Sequence, residues 1–274
     1  MTAQDSPPAL SIAKARDGAE IAYRIIPGTG PGRIALVHSL AMDNRFWDRA
    51  AAHLGEAGDV LVFDCRGHGR STRSPGPYTT EQFADDLADV LDAAGWETTA
   101  VAGASMGGCI ALAFAAAYPQ RVEGLGLADT TAWYGEKAPE QWEERAQKAV
   151  SDGMAVLVGF QKARWFSKGF AEANPDVVEG AVQVFLANDL DAYVETCRML
   201  GRADKRSALP GFSFPTRIVV GSEDYATPVA MAEAMHKAIP GATLRVLDGA
   251  AHLTPMECPE VVAEELRQVM ATKR

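Results

Sequence analysis

The sequence predicts an α/β protein: a mostly parallel, doubly wound sheet carrying an all-helical cap insertion. Three observations predict it. Short, continuous apolar runs recur along the chain, each followed by a turn rich in Gly, Ser or Asp, the pattern of strands buried on both faces of a parallel sheet. Between them lie segments with apolar residues at helical spacing. The alternation then lapses in the middle of the chain, where only helical patterning is found.

The first element is a β-hairpin. LSIAKA at 10–15 and AEIAYRI at 19–25 flank Asp17-Gly18, a dipeptide suited to the positive φ values of a type I′ turn. The strands follow as IALV at 34–37, VLVF at 60–63, TAVAG at 99–103, GLGLA at 124–128 and RIVVG at 217–221. Phe83, Leu87, Val90, Leu91 and Ala94 mark one intervening helix; Ile110, Phe114 and Ala117 mark another, stopped by Pro119. Strand and helix in alternation imply right-handed crossovers. From about Trp133 to about Leu209 the pattern is helical only, with segments at 138–152, 154–166, 176–188 and 190–203. This insertion is expected as a cap over the carboxyl edge of the sheet, where open α/β sheets bind ligands. The expected division is a core of residues 1–131 and 211–274 with a cap of 132–210.

Composition limits the functions on offer. The 274 residues are 47% hydrophobic and 23% charged, ordinary values for a folded globular chain. A net charge of −10 repels phosphate backbones and anionic headgroups, so neither nucleic acid nor a membrane surface is an expected partner. No run approaches the roughly 18 apolar residues of a membrane span, and the opening MTAQDSPPALSIAKARDG does not read as a secretion signal. Cys65, Cys109, Cys197 and Cys258 are scattered without metal or disulfide spacing and read as reduced thiols of a cytoplasmic protein.

The chemistry is concentrated at Gly103-Ala104-Ser105-Met106-Gly107-Gly108, a GxSxG match between a strand pattern and a helix pattern. A sharp strand-to-helix turn there would strain Ser105 and project its hydroxyl from the sheet edge at a helix N-terminus. A chance match among 25 glycines is the alternative, and the strand–turn–helix setting argues against it. A serine nucleophile needs a base and a carboxylate to orient that base. Of the five histidines only His236 and His252 lie beyond the cap; His236 sits in a helical pattern, whereas His252 lies in a loop after the strand ATLRVLDG. His252 is therefore the expected base. Asp224, in the loop after RIVVG, is the expected acid, with Asp129 and Glu223 as alternatives at the same edge. Two N–H groups should receive the oxyanion, those of Met106 and of Leu40 in the loop His38-Ser39-Leu40-Ala41-Met42. His38 reads as a brace for that loop and His68 as part of a glycine-flanked turn.

HSLAMDNRFWD, DCRGHGRS, GASMGG and the Asp224 and His252 loops together resemble the α/β-hydrolase superfamily over nearly the whole chain. The Ser-Leu turn before Phe46-Trp47, PGPYT at 75–79 and LADTTAWYG at 127–135 are similar to the 3-oxoadipate enol-lactonase group and its esterase relatives. His38 and Met42 depart from that group, which often has Asn and a smaller residue there. The resemblance implies Ser105, Asp224 and His252 as a catalytic triad, Leu40 and Met106 as oxyanion donors, and Trp133 as a residue facing the substrate.

The expected activity is thus cofactor-independent hydrolysis of a small ester or lactone through an acyl-enzyme on Ser105, with no metal. Trp165 and Phe166 are read either as walls of the acyl pocket or as cap core, and Arg45 and Arg164 as candidate cations for an anionic substrate. A homodimer is compatible with this reading. The alternatives are a non-hydrolytic enzyme of the same fold (a lyase with Lys162 or Lys168 near the serine, a perhydrolase, a cofactor-free dioxygenase) and a ligand receptor.

Overall fold

A computed structural model describes residues 9–270; residues 1–8, part of the stretch read against a secretion signal, lie outside them. The hairpin forms from β1 (Ser11–Lys14) and β2 (Glu20–Ile26), antiparallel, with Lys14 opposite Glu20. Its turn is not type I′. Gly18 has a φ of 90° and donates its N–H to the Ala15 carbonyl at 2.8 Å, while Asp17 stays out of the positive-φ region. The reason lies in the Asp17 carboxylate, which accepts the Ala19 N–H at 3.1 Å and pairs with Arg66 at 2.9 Å.

Six further strands complete the sheet: β3 (Gly32–Val37), β4 (Gly58–Phe63), β5 (Thr99–Ala104), β6 (Val122–Ala128), β7 (Thr216–Gly221) and β8 (Thr243–Leu247). Their order is β1-β2-β4-β3-β5-β6-β7-β8, with β3 to β8 parallel and β2 antiparallel to β4. The chain leaves β3 toward one edge and returns to β5 on its other side. Loops after β3 and β5 therefore diverge, and a crevice opens at their carboxyl ends.

Helices α1 (Asp48–Ala51), α2 (Thr80–Ala93) and α3 (Met106–Ala117) precede the insertion. Thr79 caps α2 by accepting the Gln82 N–H at 3.1 Å. Between β6 and β7 the chain is helical: α4 (Ala138–Asp152), α5 (Val158–Trp165), α6 (Lys168–Ala173), α7 (Pro175–Leu186) and α8 (Leu190–Arg202). The segment expected as one helix over 154–166 is broken into a 3₁₀ turn, Met154–Leu157, and α5. Helix α6 is additional to the expected set and begins at a Ser167 cap. The core closes with α9 (Val229–Ala238), α10 (Thr254–Glu257) and α11 (Pro259–Met270).

Helices α3 and α11 both lie on β5 and β6, from opposite faces, so the central strands are covered twice. This explains why Ala100, Val101, Leu125 and Leu127 form runs without polar alternation: all are buried. In the cap, α4 packs along α8 and Arg198 of α8 bonds Glu143 of α4 at 2.8 Å. No helix among the described residues is long and apolar enough to cross a membrane.

Candidate active site

Strand β5 ends at Ala104 and α3 starts at Met106, leaving Ser105 to make the whole turn with φ 53° and ψ −115°. Such a conformation costs a non-glycine residue about 1–3 kcal/mol and persists only where the surroundings enforce it. Here they do. A Cβ on Gly103 would stand 2.0 Å from the Gly107 carbonyl oxygen, and one on Gly107 would stand 2.1 Å from that of Val37. The Ser105 N–H donates to the Ala128 carbonyl at 3.0 Å, and the Thr130 hydroxyl donates to the Ser105 carbonyl at 2.6 Å.

The Ser105 hydroxyl lies 3.0 Å from His252 Nε2, and His252 Nδ1 lies 2.8 Å from Asp224 Oδ2. All three are buried. The Asp224 carboxylate also accepts the Ala226 and Thr227 N–H groups at 2.7 and 2.9 Å and the Thr227 hydroxyl at 2.8 Å. Burial alone would raise its pKa, but the facing His252 and these donors outweigh it and hold the carboxyl below its ordinary value. A carboxylate at Nδ1 leaves Nε2 as the atom facing the serine hydroxyl.

The alternative acids sit elsewhere. Asp129 accepts the Gly221 N–H at 3.2 Å and the Thr254 N–H and hydroxyl at 2.8 and 2.7 Å, tying β6 to β7 and to the loop after His252. Burial, then the charge of Asp224, pushes its carboxyl well above the carboxylate range. Glu223 is exposed, and His236 is exposed on α9.

The loop after β3 reaches the same point. Neither the Leu40 nor the Met106 N–H donates a hydrogen bond among the described residues. His38 braces this loop: its Nε2 accepts the Cys65 N–H at 3.0 Å, so its Nδ1 carries the proton and donates to the Ser39 carbonyl at 2.8 Å. That carbonyl also accepts the Met42 N–H at 3.2 Å. In a trans peptide the Leu40 N–H points away from the Ser39 oxygen, so fixing one aims the other.

The cap is fastened to this machinery. The N–H groups of His252 and Leu253 donate to the carbonyls of Arg164 and Trp165 at 3.3 and 2.9 Å. Glu257 accepts the N–H groups of Ala251 at 3.1 Å and Ser167 at 3.2 Å, as well as the Ser167 hydroxyl. Asn188 donates to the Ala41 carbonyl at 2.8 Å. Beneath the cap is a cavity of about 600 Å³ whose walls include Ser105, His252, Leu40, Trp165 and Arg164.

Two expected residues are placed away from it. Trp133 does not line the cavity: its backbone bridges Asp204, the Arg206 guanidinium covers its ring at 3.6 Å, and the next residue, Tyr134, faces the cavity. Arg45 does not reach it either, because its guanidinium lies on the surface against Asp43 at 2.6 Å. Phe166 is buried against Phe170, and Lys162 and Lys168 are exposed outside the cavity. Sequence reasoning missed Tyr134 and Arg145, both cavity residues. Tyr134 adjoins Trp133, whereas Arg145 reads as one more charge on an amphipathic helix.

Residues 32–259 match the protein family described as alpha/beta hydrolase fold. The chain is 31% identical to 3-oxoadipate enol-lactonase 1 of Acinetobacter baylyi over 89% of its own length and 91% of that protein's. Among solved structures, an enol-lactonase from Burkholderia xenovorans LB400 superposes with a TM-score of 0.89 at 32% identity, over 94% of this chain and 99% of the other. A thermophilic esterase from Thermogutta terrifontis superposes with a TM-score of 0.87 at 30% identity, over 96% and 100% of the two chains.

Proposed function

Since the chain belongs to the α/β-hydrolase fold family, we propose that it is a serine hydrolase of small carboxylic esters or lactones, acting through an acyl-enzyme on Ser105. One observation carries this reading: the unbroken hydrogen-bonded line from the Ser105 hydroxyl through His252 to Asp224, at 3.0 and 2.8 Å, opening on the cavity beneath the cap. The enol-lactonase and esterase relatives support the ester or lactone class.

In this mechanism His252 Nε2 takes the proton as Ser105 Oγ attacks the carbonyl carbon. Asp224 stabilises the imidazolium and keeps the ring's orientation. The tetrahedral oxygen is received by the Leu40 N–H, in the loop after β3, and the Met106 N–H, at the start of α3, both preorganised and neither with a hydrogen-bond partner to give up among the described residues. His252 then protonates the leaving oxygen, and water repeats the sequence on the acyl-enzyme. With a lactone the leaving oxygen stays tethered to the acyl group.

The test is a hydrolysis screen of p-nitrophenyl esters from acetate to decanoate beside a panel of lactones, with Ser105→Ala as control. Turnover of short substrates is expected, with kcat falling by about 10⁴ to 10⁶ in the variant. Full activity of Ser105→Ala would overturn the reading.

A further inference from the structure

Two side-chain amides are buried among the described residues, those of Asn44 and Gln161. Asn44 is engaged through both atoms: its oxygen accepts the Arg24 Nε–H at 2.7 Å and its nitrogen donates to Asp64 at 2.8 Å. Gln161, on α5, is only 4% exposed, yet its side chain makes no hydrogen bond among those residues. Neither of its amide atoms is sealed within the protein, as the orphaned Oε1 of Gln82 is; Gln161 lies in the wall of the cavity beneath the cap.

The neighbours sharpen the contrast. Leu157 and Trp165, four residues to either side, are buried and line the same cavity, so one carboxamide interrupts an apolar stripe. A polar group in such a place is unfavourable unless something hydrogen-bonds it, and the protein supplies no partner. A substrate that displaces cavity water must therefore replace the bonds that water gives. The position of the amide is fixed as well. Helix α5 is docked on the catalytic loop, where the Arg164 and Trp165 carbonyls accept the His252 and Leu253 N–H groups at 3.3 and 2.9 Å. Four residues back along the helix is about 6 Å from that contact, so Gln161 meets a group several bonds from the scissile carbonyl and not the reacting atoms. Its amide offers two N–H donors and a carbonyl acceptor. A second amide answers both at once through two antiparallel N–H···O bonds. A ketone answers only the donors, and an alkyl group answers neither.

We propose that Gln161 is a specificity-determining residue, and that the acyl chain of the substrate carries an uncharged amide several bonds from the scissile carbonyl, paired reciprocally with the Gln161 amide. The word substrate rests on the hydrolytic reading, whereas the amide-binding position rests on Gln161 alone. The contact belongs to the acyl part because that part stays attached to Ser105 through both chemical steps.

The experiment uses three uncharged p-nitrophenyl esters of one shape, those of adipamic, 6-oxoheptanoic and 6-methylheptanoic acids, which end in a carboxamide, a methyl ketone and an isopropyl group. The same three with one more methylene allow for reach. At the better length wild-type enzyme should prefer the carboxamide to the isopropyl ester by at least about tenfold in kcat/KM, with the ketone between them, against their order of hydrophobicity. Gln161→Met keeps the length of the side chain and removes no hydrogen bond of the protein. It should reverse the order, lowering kcat/KM for the carboxamide ester by about tenfold, chiefly through KM, and raising it for the isopropyl ester. Gln161→Glu, which keeps an acceptor and loses the donors, should retain the carboxamide ester better than the ketone. A merely structural role would lower all three esters together. A wild type that does not favour the carboxamide at either length, or an order that survives Gln161→Met, overturns the proposal. If wild-type enzyme cleaves none of the esters, the hydrolase reading fails instead, and calorimetric binding of adipamide decides the subsite: binding weakened about tenfold by Gln161→Met supports it, and no binding, or binding unchanged in the variant, overturns it.

Discussion

At Ser105 the backbone is held where an L-residue is strained, and the strain makes chemical sense: it lifts one hydroxyl off the sheet edge and onto His252. This much was legible in the sequence, because glycines two residues either side of a serine, between strand and helix, leave few other conformations. His252 was legible by its loop position. The acid was not settled, since Asp129, Glu223 and Asp224 all follow strands at one edge and only the backbone decides which carboxylate meets Nδ1. The structure separates them and so separates two variants. Asp224→Asn should lower kcat by about 10⁴ with the fold intact, because an amide cannot orient and stabilise the imidazolium. Asp129→Asn should keep kcat within about tenfold, since Asp129 hydrogen-bonds Gly221 and Thr254 and neither Ser105 nor His252. Asp129→Ala should instead lower unfolding free energy by about 1–3 kcal/mol, having orphaned buried donors of Gly221 and Thr254. Steady-state kinetics and urea denaturation on the three variants check this. The substrate-facing residues were illegible for a simpler reason: neighbours such as Trp133 and Tyr134 point different ways, and a resemblance does not transmit side-chain direction.

At the scale of elements, the site is the meeting of four loops and one cap. The elbow between β5 and α3 exists only because α3 approaches β3 to within backbone contact at Gly107. Gly107→Ala should therefore destabilise the protein by about 3 kcal/mol or more, the upper range for overpacking, read as a lowered urea midpoint. The cap is held by fewer ties, and Glu257 makes two of them, to the N–H and hydroxyl of Ser167, while also accepting the Ala251 N–H within the core. Glu257→Ala should loosen the cap by about 1–3 kcal/mol, read as faster hydrogen exchange in α5 and α6 with little change in β3 to β6. The cap's helical character was legible, since the strand pattern stops near Trp133 and resumes at Thr216. The break of α5 at Met154–Leu157 was not, because a 3₁₀ turn keeps nearly the same apolar spacing. The hairpin turn was misread because Asp17 is engaged by Arg66, a partner 49 residues away that no local rule contains.

Over the whole molecule, charge and burial set how the protein responds to pH. His38 and His68 are buried with ring centres 5.1 Å apart. Burial lowers the pKa of both, that of His68 to about 3, from an ordinary 6.5. A base with a depressed folded pKa binds protons less readily folded than unfolded, so its contribution to stability is full above pH 6.5 and declines as pH falls below it. For His68 alone the loss is on the order of 1 kcal/mol at pH 5.5. Urea midpoints at pH 7.5 and 5.5 should differ accordingly, and His68→Gln should flatten that difference. Asp224 acts in the same direction at lower pH: its depressed pKa gives stability that is present above its unfolded value and is lost as pH falls through the folded one. The acidic chain as a whole repels anions, yet the cavity beneath the cap is lined by Arg145 and Arg164. Net charge was readable from composition; the local inversion required the fold.

Everything above turns on Ser105 as the nucleophile. Wild-type and Ser105→Ala proteins treated with a p-nitrophenyl alkylphosphonate, whose tetrahedral phosphorus mimics the proposed intermediate, can be compared by intact and peptide mass spectrometry alongside residual esterase activity. One phosphonyl group per chain is expected on Ser105, with activity lost in proportion to labelling and no label on the variant. An enzyme that turns over esters while Ser105 remains unlabelled, or whose label lies on another residue, would contradict it.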